Sequence, residues 1–183
     1  MPKRSVDVVI LCEDTQQEVF VRCWLEKKGF NPRKFRIRKS PGSKGSAEQF
    51  VRTQYPAEVQ AQRQKASYSP IGSSLVVAVD ADILTVDIRK QALDRQLEIA
   101  TQSKRQIDEK IALLIPKRNI ETWIYYLRGH NVDEETAYPK FSKEESNCKA
   151  DAENLAMAGS QDPLVVNAPP SLQVAITELQ RIL

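Results

Sequence analysis

Three short apolar runs, each ending in acids, constrain this chain more than any other feature of it. Val8-Val9-Ile10-Leu11-Cys12 runs into Glu13-Asp14, and Leu75-Val76-Val77-Ala78-Val79 runs into Asp80-Ala81-Asp82. Ile111-Ala112-Leu113-Leu114-Ile115 runs into Pro116-Lys117-Arg118-Asn119-Ile120-Glu121. Apolar runs of that length, with no polar alternation, are those of strands buried on both faces, as in parallel sheets. Open α/β sheets place their sites outside the carboxyl ends of such strands. If the three strands are neighbours, Glu13, Asp80, Asp82 and Glu121 converge on one edge. So many carboxylates together call for a cation, and a hard, oxygen-bound one such as Mg²⁺ or Mn²⁺ is the natural guest.

The segments between the runs alternate with them. From Gln16 to Lys28 the apolar residues Val19, Phe20, Cys23, Trp24 and Leu25 have helical spacing, and Gly29 supplies the stop. Phe35-Arg36-Ile37-Arg38 alternates apolar with basic, predicting a short strand near a sheet edge. After a breaker-rich loop at 40–46, Ser46 and Gln49 have capping-box spacing for a helix to about Lys65, with a kink or restart expected at Pro56. Further helices are predicted from Val86 to about Gln102 and from Glu121 to Leu127, the latter closed near Gly129. Strand–helix alternation predicts an α/β fold: a Rossmann-like parallel sheet with helices on both faces.

Beyond Gly129 the pattern weakens. The stretch 131–151 is polar, Ala152–Ala158 has helical character, and 162–170 has the composition of a loop. Ser171 is positioned to cap a last amphipathic helix. The expected organisation is a catalytic domain over residues 1–129 and a helical C-terminal extension over 130–183, packed on that domain or offered to a partner.

At 183 residues, 41% hydrophobic and 28% charged, the composition is that of one soluble globular domain. No apolar run approaches a membrane span and none at the start has the length of a signal peptide. Three widely spaced cysteines suit a reducing compartment, so a cytoplasmic location is expected. Residues 1–45 hold eleven Lys or Arg against five Asp or Glu, and no acid falls between Lys27 and Ala47. A basic stripe containing Arg36, Arg38, Lys39 and Lys44 beside an acidic pocket is the layout expected of a metal enzyme acting on a polyanion, and also that of a solvated charged face. His130 is the sole histidine, which leaves a zinc site without ligands.

The order Glu13 after a first strand, Asp80-Ala81-Asp82 after a later one, and Glu121 after the next resembles the TOPRIM domain. Pro116-Lys117-Arg118-Asn119-Ile120-Glu121-Thr122-Trp123 is most similar to its nuclease branch, the overcoming-lysogenization-defect group, over about residues 6–128. The resemblance implies a TOPRIM-like fold and a Mg²⁺- or Mn²⁺-dependent nuclease. It makes Asp80 and Asp82 primary metal ligands, Glu13 a ligand or general base, and Glu121 a ligand of a second ion. It also brings a partner ATPase and a role in bacterial defence against phage, with a homodimer as a further expectation. Two positions depart from the pattern: Asp14 stands where relatives have glycine, and Gln17 where they have a second glutamate, so a two-cation site is one charge short.

For phosphodiester cleavage, Lys117, Arg118 or Lys44 would stabilise the leaving oxygen, the first two ranking ahead because they stand beside Glu121 at the same strand end. Each residue also has a plainer role: Glu121 as an acid favoured in a helix's first turn, Arg118–Glu121 as an i, i+3 ion pair, Asp-x-Asp as a solvated loop. Two other functions fit part of the pattern: a receiver-like phospho-acceptor using Glu13-Asp14, Asp80 and Lys117, and a binding module that keeps the fold but not turnover.

Overall fold

Strands this apolar leave no face for water, and a computed structural model of the chain, which describes residues 5–42, 46–69, 73–141 and 144–183, puts them in the interior. Among the described residues one sheet forms, from β1 (Val8–Cys12), β2 (Phe35–Lys39), β3 (Ser74–Ala78) and β4 (Ile111–Leu114). Its order is β2-β1-β3-β4 and every pair is parallel. Cys12 is level with Lys39 and Ala78, and Ala78 with Leu114, so the carboxyl ends share one edge. The basic strand β2 lies at the outside of the sheet, as its alternation predicts.

Successive side chains leave opposite faces of a strand. Ile10, Cys12, Val76, Ala78, Ala112 and Leu114 join one core with residues of α1 (Thr15–Lys27). Leu11, Leu75, Val77, Ile111 and Leu113 join the other with α2 (Ala47–Tyr68) and α3 (Val86–Ile99). The first core also takes in α4 (Glu121–Leu127), α5 (Lys149–Met157) and α7 (Pro170–Leu179), with the short α6 (Pro163–Val166) between the last two. The fold is therefore α/β: an all-parallel sheet of Rossmann-like arrangement with helices on both faces.

Three local expectations differ from what forms. Helix α2 runs through Pro56 without a restart. The missing N–H costs about 3 kcal/mol in a helix interior, and full burial of Val51, Tyr55 and Val59 offsets it at roughly 2 kcal/mol each. The presumed loop at 162–170 contains α6, whose Asp162 carboxylate accepts from Leu164 N at 2.8 Å with Pro163 in the first turn. Ser171 does not cap α7: the helix opens on Pro170, and the Ser171 hydroxyl accepts a 2.8 Å hydrogen bond from buried Trp123 Nε1 instead.

Residues beyond 130 close the fold at two places. Cys148, Ala152, Leu155 and Ala156 sit in the same core as α1. Helix α7 lies along β4, where Glu178 pairs with Arg105 and accepts from Leu113 N at 2.9 Å, satisfying a donor at the edge of that strand. All three cysteines are buried, as small hydrophobes would be. No described helix is long and apolar enough to cross a membrane.

Candidate functional site

Because β1 and β3 are hydrogen-bonded neighbours, the residues that follow them meet. Glu13 comes directly after β1, and its carboxylate accepts from the backbone N of Asp80. Helix α1 begins one residue later: Asp14 is its N-cap, accepting from Gln17 N at 2.9 Å. That first turn carries Gln17, wholly buried, back beneath the strand ends. Gln17 Oε1 accepts from Glu13 N and Gln17 Nε2 donates to Asp80 Oδ1, both at 2.9 Å. Gln17 thus ties the two acids together from inside and uses both ends of its amide to do so.

The chain after β3 stays paired with the chain after β4. Ala81 N donates to Pro116 O at 2.9 Å and Asp82 N to Arg118 O at 3.1 Å. Asp82 and Arg118 both take left-handed backbone, with φ of +56° and +70°. Non-glycine residues held there store strain, and such positions gather at functional sites. The turn aims the two aspartates apart. Asp80 is 5% exposed and stays in the cluster, whereas the Asp82 side chain is 59% exposed and its Oδ2 lies 3.3 Å from Arg89.

Glu121 opens α4 after the β4 turn and is only 1% exposed, yet its Oε2 has no hydrogen-bond partner among the described residues. A buried, unpartnered carboxylate oxygen is costly and calls for a proton, a water or a cation. Burial pushes the Glu13 carboxyl from its ordinary 4.5 up to about 7; the Asp80 N–H offsets part of this, and the charges of Asp82 and Asp14 add to it. Burial, and then the charges of Glu13, Asp14 and Glu121, hold Asp80 well above the usual aspartate range. Glu121 is raised by burial too. Glu13 and Glu121 both act on Asp80, Asp14 acts on all three, and Asp82 acts on Glu13, so these carboxyls share one electrostatic neighbourhood.

Lys140 faces these carboxyls, and it lies outside the segment from which the sequence predicts the site. Lys140 Nζ is 3.8 Å from Asp14 Oδ2. Burial works against its charge, but Asp14, Glu121, Asp80 and Glu13 outweigh it and raise its pKa. Its segment is pinned to α4 and the preceding turn. Asn119 Nδ2 donates to Tyr138 O at 2.9 Å, and Tyr125 packs against Tyr138 and Phe141 with ring centroids 5.2 and 5.1 Å away. Tyr138-Pro139-Lys140-Phe141 carries no motif that would single out the lysine.

The predicted cations stand elsewhere. Lys117 reaches Glu135 at 3.3 Å; among the described residues Arg118 forms no ion pair, and its Nε is buried without a partner. Arg36 and Arg38 both pair with Glu58 of α2, and Lys39 contacts Glu18 at 3.5 Å and Thr15 at 2.9 Å. The basic stripe is therefore partly neutralised by its own neighbours. Lys44 lies outside the described residues. Of the predicted acids, Glu13 and Asp80 meet through Gln17 and the Asp80 N–H, Glu121 lies near enough to raise Asp80, and Asp82 turns to Arg89 while its charge still acts on Glu13. Among the described residues no three His, Cys, Asp or Glu side chains stand as a ready ligand group.

Glu13, Asp80, Asp82 and Glu121 offer only charged oxygen donors, the donor type that hard cations such as Mg²⁺ or Mn²⁺ take. Comparison of the chain with protein-family models, curated proteins and solved structures returns no match.

Proposed function

We propose that the chain is a metal-dependent nuclease of the TOPRIM type, hydrolysing phosphodiester bonds in DNA or RNA. The observation that carries the reading is Glu121 Oε2, buried and without a partner among the described residues, on the edge that also carries buried Asp80 and half-buried Glu13. Glu13, Asp80 and Glu121 would hold Mg²⁺ or Mn²⁺, with Asp82 joining from the rim. The ion would neutralise phosphoryl charge and acidify a water.

The chain's own groups support the remaining tasks. With no cation present, burial and then the charges of Asp82 and Asp14 hold the Glu13 carboxyl up at about 7, and a divalent ion bound there would favour its charged form. Gln17 fixes Glu13 and Asp80 relative to each other without adding charge. Lys140 presents the ammonium best placed to meet a phosphate arriving over the acids, taking the role expected of Lys117 or Arg118. Lys117 turned to Glu135 disfavours a receiver, which needs its lysine opposite the acceptor aspartate. Gln17 in place of an acid favours, as a second reading, a module that binds metal and nucleic acid without turnover.

Circular single-stranded DNA, plasmid and structured RNA, incubated with Mg²⁺ or Mn²⁺, separate these. Cutting that needs the metal and disappears in Asp80→Ala/Asp82→Ala supports the nuclease. Retained metal binding with no cutting of any substrate supports the binding module.

A further inference from the structure

Arg89 is an arginine in the place of a core residue. It lies on the inward face of α3 with Leu93 and Leu97 and is 6% exposed. Its guanidinium spans from α2 to the turn after β3, with NH1 2.6 Å from Glu48 Oε1 and NH2 3.3 Å from Asp82 Oδ2 and 3.4 Å from Ala81 O. Its Nε has no partner among the described residues. Glu48 is shared, since Arg52 Nε also contacts it at 3.0 Å. The guanidinium is held at the Glu48 end by a close, mostly buried pair and at the Asp82 end by a looser one to a side chain that is mainly in water.

Resting on the metal-site reading above, we propose that Asp82 has two positions, one on Arg89 and one on the cation held by Glu13 and Asp80, and that Arg89 is the positioning residue that sets the balance. Asp82 has not left the site: its charge still acts on Glu13. Its left-handed backbone, tied to Arg118 O through the Asp82 N–H at 3.1 Å, holds the Cα two residues beyond Asp80, and the exchange of partners is made by the side chain. A carboxylate partly held by an internal cation lowers apparent metal affinity by the fraction of time it spends there. Glu48 modulates that fraction by competing for the same guanidinium.

Calorimetric titration of MgCl₂ into the full chain tests this. Arg89→Met frees Asp82 and tightens Mg²⁺ binding about threefold, the scale of one partly exposed ion pair. Glu48→Gln leaves the guanidinium to Asp82 and weakens binding. General loss of packing would move both variants the same way, so opposite signs identify the latch, and Arg89→Lys restores wild-type affinity. In the Asp82→Asn background the gain from Arg89→Met disappears, as expected for coupled residues. The latch is overturned if Arg89→Met binds no tighter, or if its gain survives Asp82→Asn, while Asp80→Asn still abolishes binding. If Mg²⁺ fails to bind, or binds equally to Asp80→Asn, the metal reading itself falls and the latch with it.

Discussion

Glu13 and Asp80 are held in a state that costs stability, and this gives the site its pH signature. Their folded pKa values lie above the unfolded ones, 4.5 rising to about 7 for Glu13, so the folded protein binds protons more tightly. The contribution to stability is complete below the unfolded value and is lost as pH rises through the folded one. The melting temperature in EDTA should therefore fall between about pH 5 and pH 8, and Mg²⁺ should raise it more at the upper end. A metal-free protein equally stable across that range would show that burial and the neighbouring charges do not raise these carboxyls. Lys140→Met should lower cleavage by about a hundredfold or more while Mg²⁺ still binds, as removal of a charge-stabilising donor does elsewhere. Unchanged cleavage would return the role to Lys117 or Arg118. Glu13, Asp80 and Glu121 were legible in the sequence because strand ends can be read from apolar runs. The direction of Asp82 was not, because it depends on a left-handed backbone that no short motif around Ala81 announces.

At the scale of elements, the strands and the helices that cover them follow from periodicity, and the exceptions have specific causes. Pro56 is tolerated because the residues on either side of it are buried deeply enough to hold α2 together. Ser171 has the identity of a cap, but Trp123 Nε1 needs a buried acceptor and takes it. The basic alternation of β2 was legible as an edge strand, whereas its neutralisation by Glu58 depends on how α2 lies across the sheet. Glu178 is the side chain that fastens α7 to β4. Glu178→Ala leaves Arg105, 3% exposed, and Leu113 N without their partner. It should cost about 3–5 kcal/mol in urea denaturation, the penalty for orphaning a buried charge. A cost under about 1 kcal/mol would mean that α7 is held by apolar contacts alone.

For the molecule as a whole, the candidate site draws on residues spread from Glu13 to Lys140. Acids come from the ends of β1 and β3 and from the start of α4, and the facing cation comes from residue 140, beyond the segment that the sequence marks as catalytic. The stretch 131–141 has no periodicity, so its value lies in where Tyr125 and Asn119 hold it, which only the fold displays. The proposal that unites these parts is that the acidic edge holds a divalent cation. Its most direct test is Mn²⁺ binding followed by loss of the free-ion signal in electron paramagnetic resonance, comparing wild type with Asp80→Asn and Glu121→Gln. Wild type should remove the free signal, Glu121→Gln should do so more weakly, and Asp80→Asn should leave it intact. Binding that ignores both substitutions, or no binding by wild type, would contradict it.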